Sequence, residues 1–430
     1  MRHALSPLAL VFLCWGLTGI GAGWTLAQLD QLDLVQAFII REGLHLSAFG
    51  WAGLSWTLLG LVIYLVGDLC ARMIRHPLRA QPTAFDLRRM AILTGLANLV
   101  LLSVTALWIF GAAANAGGLV ELAMAAYADS LTTRDILLQN KLFTGMRLFY
   151  AALPATACLA AALLATNALP RQARLMMWSV LAVNTAALFV LPIVMSQRLL
   201  LLQLVLSSYI VACIVKQRVI ALHWVGFGIL LFLALWTARE AITNPIIQRP
   251  ALDIATQKLA FYLVNDMFNG FAPLSIPIPH TYGGVTLEGL MFMTFSDGYF
   301  QTLLASKMRT LDGVLGGGEF PFFTAGYVDY GPIGGAIFIA ICAFVFRQIF
   351  MQAHTSLGWA VVYAQIGAAL LFSSHSLYFT HQNFYFSMAL MGGIIFLSRK
   401  RPSAEVARPA PRITFRSRRR RRAPSSQVRA

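Results

Sequence analysis

A diphosphate is best gripped by arginine, because the planar guanidinium can present parallel N–H donors to two oxygens at once. Four arginines stand beside long apolar runs where such a group could be met: Arg134 in SLTTRDILLQN, Arg198 in MSQRLLLLQLVL, Arg239 in LWTAREAITNP and Arg249 in IIQRPAL. Arg147 in FTGMRLFY repeats the pattern. Each has a plain competing account: Arg198 can snorkel to lipid headgroups, and Arg239 can pair with Glu240 or cap a helix. Groups able to move a proton are His280 in IPIPHTYGG, His375 and His381 on either side of SLYFT, and the carboxylates Asp266, Glu288, Asp297, Glu319 and Asp329. Imidazole titrates in the useful range. An ordinary loop histidine, or one hydrogen-bonded at an interface, is the competing account for all three. No Cys or His cluster has metal-ligand spacing.

The elements that must position these residues are apolar helices. The chain of 430 residues is 58% hydrophobic and 12% charged, with a mean hydropathy of +0.69, too apolar for a soluble domain of this length. A spanning helix needs about 20 mostly apolar residues. The sequence predicts an all-α polytopic membrane protein with ten spans, near residues 8–27, 46–67, 90–112, 148–168, 176–196, 199–215, 219–238, 330–349, 358–374 and 384–398. Lys and Arg mark cytoplasmic connections. They concentrate at Arg72, Arg75, Arg79, Arg88 and Arg89, at Arg171 and Arg174, at Lys216 and Arg218, and in the tail with its run Arg418 to Arg422. Both termini are therefore expected inside, and the net charge of +16 is mostly this topology signal. The arginines singled out above persist against that bias, at helix ends on the outer side.

The organisation expected is one transmembrane bundle over 1–398, with a long outer loop at 239–329, followed by a disordered basic cytoplasmic tail over 399–430. The tail suits anionic lipid headgroups better than nucleic acid. The first apolar stretch reads as an anchor helix rather than a cleaved signal, and the five cysteines suggest no disulfide framework. Within the long loop, DIATQKLAFYLVNDMFNGFAPL predicts amphipathic helices at the membrane surface, and IPIPHTYGGVTLEG predicts irregular chain. GYVDYGPIGG brings the chain back to the bilayer. There Asp329 is expected to cap the N-terminus of the return helix, while Gly331, Gly334 and Gly335 allow close packing.

Four stretches in this order, GGLVELAMAAY followed by Arg134, SQRLLLLQLVLSSYIVACIVKQR, HTYGGVTLEGL and FPFFTAGYVDYGPIGGAIF, spread over roughly residues 115–345, resemble the Wzy-type oligosaccharide repeat-unit polymerases. These are relatives of the O-antigen ligases in the GT-C-like group of membrane glycosyltransferases. The resemblance implies a GT-C-like bundle in the bacterial inner membrane. Its implied activity is the transfer of a growing glycan from undecaprenyl diphosphate onto a second lipid-linked repeat unit at the periplasmic face, in O-antigen or exopolysaccharide synthesis. It implies no metal or other cofactor. Lipid-linked oligosaccharide and membrane lipids are the implied partners, a chain-length regulator is a further candidate, and no nucleic acid is involved. By position, Arg198 and Arg239 match the family's arginines and would hold the diphosphate, with Arg134 and Arg249 in support. His280 is the candidate base. Tyr282, Gly283, Gly284, Tyr327, Asp329 and Tyr330 would border the glycan.

The related ligases carry a histidine just before the re-entering helix, where this chain reads FFTAGYVDYG without one; that favours polymerase over ligase. A transporter or flippase for the same lipid diphosphate is the alternative from a different class. Transporters show broken or charged helices at the midplane, and a scaffold using the basic tail leaves the long loop unexplained.

Overall fold

The computed structural model of the chain describes residues 4–74, 84–128, 136–137, 139–195, 199–220, 223–243, 249–276, 278–296, 298 and 319–400. Apart from Lys400, these residues fall within one compact unit over Met1–Arg399. Regular structure among them is helical: α1 (Pro7–Ala27), α2 (Asp33–Arg41), α3 (Trp51–Met73), α4 (Leu87–Asn115), α5 (Leu119–Ala128), α6 (Met146–Ala151), α7 (Leu153–Ala165), α8 (Arg171–Met195), α9 (Leu199–Val215), α10 (His223–Thr243), α11 (Ala251–Ser275), α12 (Glu288–Met293), α13 (Phe322–Ala353), α14 (Leu357–Leu370) and α15 (Gln382–Leu397). Among the described residues six stretches are long and apolar enough to cross a membrane: α1, α3, α4, residues 146–165 across α6 and α7, most of α8, and α13. Apolar helices of 10–17 residues occupy α9, most of α10, α14 and α15. The chain is thus an all-α protein with the helices of a membrane protein.

Helix starts follow local chemistry. Ser6 precedes Pro7 and its hydroxyl accepts from the Ala9 amide at 3.4 Å, and Asp86 accepts from the Arg89 amide at 3.0 Å. Both satisfy amides that the first turn leaves unpaired. At the end of the bundle where α1 starts, the Asp86 amide donates to the Ser398 carbonyl at 2.9 Å, beside the pairing of Phe85 with Arg399. This is the proximal end, and the opposite end is the distal one. Near the proximal end Arg72 Nη2 lies 2.6 Å from the fully buried Asp68, and Arg347 Nη1 lies 3.9 Å from it, joining α3 to α13 through the paired charges that a buried carboxylate requires.

One face of α3 explains how α13 and α11 are seated. Gly53, Gly60 and Gly67 recur every seventh residue, so they share a face. A methyl group at Gly53 would strike the Phe271 ring of α11, one at Gly60 the Phe323 ring, and one at Gly67 the Ala340 carbonyl oxygen at 2.7 Å. Such small-residue tracks let helix backbones approach closely in an apolar medium.

Two expectations change here. The stretch expected to form amphipathic surface helices is one helix, α11, lying across the distal parts of α1 and α3, where Leu263 meets Gly21 and Phe271 meets Gly53. Val264 to Pro273 are all buried, Asn265, Asp266 and Asn269 among them. The mixed pattern is that of a helix with polar partners inside the protein, not one that faces water. The second change concerns the return helix, which begins at Phe322 and breaks at Gly331, whose φ is 71° and ψ −173°. Residues 322–330 form a short helix that starts deep, with Phe322 against Tyr64 and its amide on the Ser373 carbonyl, and rises toward the distal end, where Tyr327 meets Trp56. Residues 332–353 run back alongside it toward the proximal end, since Gly326 touches Gly335 and Phe338, and the Phe322 and Phe338 rings lie 6.0 Å apart. Such a backbone angle is essentially restricted to glycine, and Pro332 after it suits a helix start.

Candidate functional site

At the Gly331 break, the HTYGGVT segment folds onto the end of the short helix. The Thr281 amide donates to the Val328 carbonyl at 3.2 Å and the Tyr282 amide to the Asp329 carbonyl at 3.1 Å, covering acceptors that the helix end leaves open. His280 Nδ1 is 3.3 Å from the same Val328 carbonyl. Asp329, fully buried, accepts from the Val285 amide at 3.0 Å, the Thr286 amide at 2.7 Å and the Thr281 hydroxyl. Tyr330 OH lies 3.0 Å from the Thr286 hydroxyl. Tyr282 and Gly283 reach this geometry with φ of 50° and 99°. The Tyr327 ring meets Trp56 edge-on at 5.2 Å and stands perpendicular to the His280 ring at 6.4 Å.

His280, Tyr282, Gly283, Gly284, Tyr327, Asp329 and Tyr330 are therefore brought together, but the expected role of Asp329 as a helix N-cap is corrected. Pro321 precedes the helix and Asp329 stands near the far end of the short segment. Its carboxylate clamps amides of a different segment. Tyr282 alone among these side chains is widely exposed, at 71%.

The expected arginines are dispersed. Arg134 and Arg198 lie outside the described residues, and so does the Asp297 carboxylate. Arg239 sits on α10 and its side chain is likewise outside them. The neighbouring Glu240 is buried and accepts from Lys258 Nζ of α11 at 2.9 Å. Arg249 is engaged at the surface, by Asp33 at the start of α2 and by Asp253 at 3.6 Å, and Asp33 holds its proton affinity up.

A second break, between α14 and α15, gathers groups that the sequence left scattered. α14 ends at Leu370, and residues 371–381 are irregular apart from a turn at Tyr378–Thr380. This segment sits at the level of the middle of α1. Cys14 Sγ donates to the Leu371 carbonyl at 3.2 Å, Trp15 Nε1 to the Ser373 hydroxyl at 3.1 Å, and the Thr18 and Ser374 hydroxyls are 2.7 Å apart. The Phe322 amide donates to the Ser373 carbonyl at 2.8 Å. Thr18 is nine residues before the end of α1, about 14 Å at ~1.5 Å per residue. Irregular backbone at that depth survives only with internal partners or beside a cavity; here the partners are turns within the segment, the Phe322 amide and Cys14 of α1.

From this scaffold His375 points its Nδ1 at Asp266 of α11, 2.7 Å away. Tyr378 OH donates to Gln203 of α9 at 2.7 Å, and Gln203 in turn donates to Gln365 at 3.0 Å. His381 accepts from the Asn383 amide at 3.3 Å through Nδ1, and its Nε2 lies 3.9 Å from Glu319. The Asn269 side chain donates to the Glu319 carbonyl at 3.5 Å. The Tyr378 and His381 rings are parallel, 6.0 Å apart.

The electrostatics separate the two histidines. Burial pulls the His375 pKa down, but the Asp266 charge, its hydrogen bond and the Glu319 charge outweigh that and leave it raised. Burial pushes the Asp266 carboxyl up, against the opposing pull of His375. His381 is lowered, by burial first and by the Arg147 charge, against Glu319. Glu288 of α12 is raised by burial and by Glu319. Titratable groups driven apart within one pocket are the usual basis of acid–base division of labour. Arg147 at the start of α6 thus brings a positive field to this cluster.

Sequence reasoning named His375, His381, Asp266, Glu319 and Arg147 without assembling them. The available signal was polar residues interrupting apolar runs, in NDMFN and in FSSHSLYFTHQN. Comparison with protein-family models, with curated proteins and with solved structures finds no match for this chain.

Proposed function

We propose that this chain is a ten-span glycosyltransferase of the bacterial inner membrane with both termini in the cytoplasm. It transfers a glycan from undecaprenyl diphosphate onto a lipid-linked repeat unit at the periplasmic face, as a Wzy-type polymerase does. The observation that carries this reading is the second break, where an irregular segment deep among apolar helices brings His375 and His381 to Asp266 of α11 and to Glu319, within the field of Arg147. Ionisable groups so placed mark a working site rather than packing. Transfer from a lipid diphosphate needs cationic relief of charge on the leaving group and a group to receive the acceptor's proton. Arg147, with Arg198 five positions before Gln203 and Arg239 beside Glu240, would serve the first need.

Purified protein in proteoliposomes with undecaprenyl-diphosphate-linked repeat units should build a ladder of chain lengths. Arg147→Ala, Arg198→Ala and Arg239→Ala should each abolish it without loss of inserted protein, and unaltered ladders from all three would overturn the assignment. A second reading, transport of the same lipid-linked glycan, is favoured by the broken helix at Gly331, since broken helices line transport sites. Transbilayer movement of the substrate without elongation would select it.

A further inference from the structure

We infer that His375 is the base that takes the acceptor hydroxyl's proton and that Asp266 is its positioning residue, an inference resting on the glycosyl-transfer reading above. The hydrogen bond assigns the tautomer. Asp266 Oδ1 stands 2.7 Å from Nδ1, so the N–H is on Nδ1 and the lone pair is on Nε2. Nε2 has no hydrogen-bond partner among the described residues, while the side chain keeps 27% of its exposure. A carboxylate that fixes the imidazole and leaves the opposite nitrogen free to accept is the arrangement a general base requires.

The other candidates are engaged elsewhere. His280 Nδ1 faces the Val328 carbonyl at the clamped loop. His381 uses Nδ1 to accept the Asn383 amide, so its proton is on Nε2, toward Glu319. Asp329 has its oxygens filled by two amides and a hydroxyl.

In the step itself the acceptor O–H gives its proton to Nε2 as its oxygen bonds to the anomeric carbon. The bond from that carbon to the diphosphate oxygen breaks, and the electron pair leaves with the lipid diphosphate. The imidazolium, steadied by Asp266, then returns the proton to the departing diphosphate or to water, so atoms and charge balance.

The charged and titratable groups around His375 are Asp266 and Tyr262 of α11, Glu319 ahead of α13, Cys14 of α1, Tyr378 and His381 on its own segment, and Arg147 of α6. The carboxylates raise the imidazole's affinity for a proton against its burial. The acidic limb of the rate profile should therefore lie above the ordinary histidine value of about 6.5. Removing the Asp266 charge should move that limb to lower pH.

The test is elongation in proteoliposomes across pH for the wild type, His375→Ala, His375→Gln and Asp266→Asn, with monodispersity in detergent confirming folding. The expected result is a fall of about 10²–10⁴-fold in turnover for both His375 variants, partial rescue of His375→Ala by added imidazole, and an acidic limb displaced downward in Asp266→Asn. If the wild type elongates and the His375 variants keep its rate and profile, the base is not His375 and the glycosyltransferase reading survives. Folded variants that are inactive, with no imidazole rescue and an unmoved limb in Asp266→Asn, also overturn the base. If the wild type only carries the substrate across the bilayer, the glycosyltransferase reading fails and the base assignment with it.

Discussion

Both breaks in the helical framework gather polar groups, but they use them differently. At Gly331 the polar capacity is consumed internally: Asp329 is fully buried, its carboxylate accepts from Thr281, Val285 and Thr286, and the Val328 and Asp329 carbonyls take the Thr281 and Tyr282 amides. At residues 371–381 most of the backbone bonds locally, through turns such as His375 to Phe372 and His381 to Tyr378, while α1 holds the Leu371 carbonyl and the Ser373 and Ser374 hydroxyls through Cys14, Trp15 and Thr18. His375, with Nδ1 on Asp266, keeps Nε2 without a hydrogen-bond partner among the described residues. A buried carboxylate whose acceptor positions are filled builds structure. An imidazole half-held by a carboxylate remains available for chemistry.

The largest effect expected from this contrast is on rate. His375→Ala should cost about 10²–10⁴-fold in elongation with little change in thermal unfolding, while Asp329→Asn should keep the rate per folded molecule. The opposite result, an inactive but stable Asp329→Asn, would exchange the roles of the two breaks.

On stability the order reverses. Asp329→Ala strands buried amides and a hydroxyl, each worth about 1–3 kcal/mol when left without an acceptor, and should lower the unfolding temperature measurably. Gly331→Ala should cost about 1–3 kcal/mol, because φ of 71° with ψ of −173° is a glycine conformation. The added methyl would also lie 3.0 Å from His280 Nε2. Proteolysis within the 280–286 loop, compared with the wild type, would report both losses. The smallest effect belongs to Arg249→Ala. This arginine pairs with Asp33 and Asp253 at the surface, where salt screens such pairs. Its melting curve should overlay the wild type's at physiological ionic strength.

Much of the framework was legible in the sequence because membrane helices announce themselves by length and apolarity. Each predicted span has a helix in the structure, although α9, α10, α14 and α15 hold apolar stretches of 10–17 residues. That HTYGGVT is irregular chain was legible; that it folds onto the end of the short helix before Gly331 was not. The short helix itself was not legible either, since residues up to 329 read as part of the long outer loop and nothing local marks a helix there ahead of the break at Gly331. Nor was the dyad. Asp266 and His375 are 109 positions apart, and no local pattern encodes which polar residue of an amphipathic helix will meet which residue of a distant break.

By itself the sequence determined an all-α membrane protein, the approximate position of its apolar helices and the residue types available for chemistry, because hydrophobic length and side-chain identity are local properties. The tertiary structure decided which polar groups are spent on folding and which are left to react. That decision depends on neighbours: α3 glycines that admit α11 and α13, α1 side chains that hold the irregular segment, and a carboxylate on α11 that turns one histidine among several toward a task.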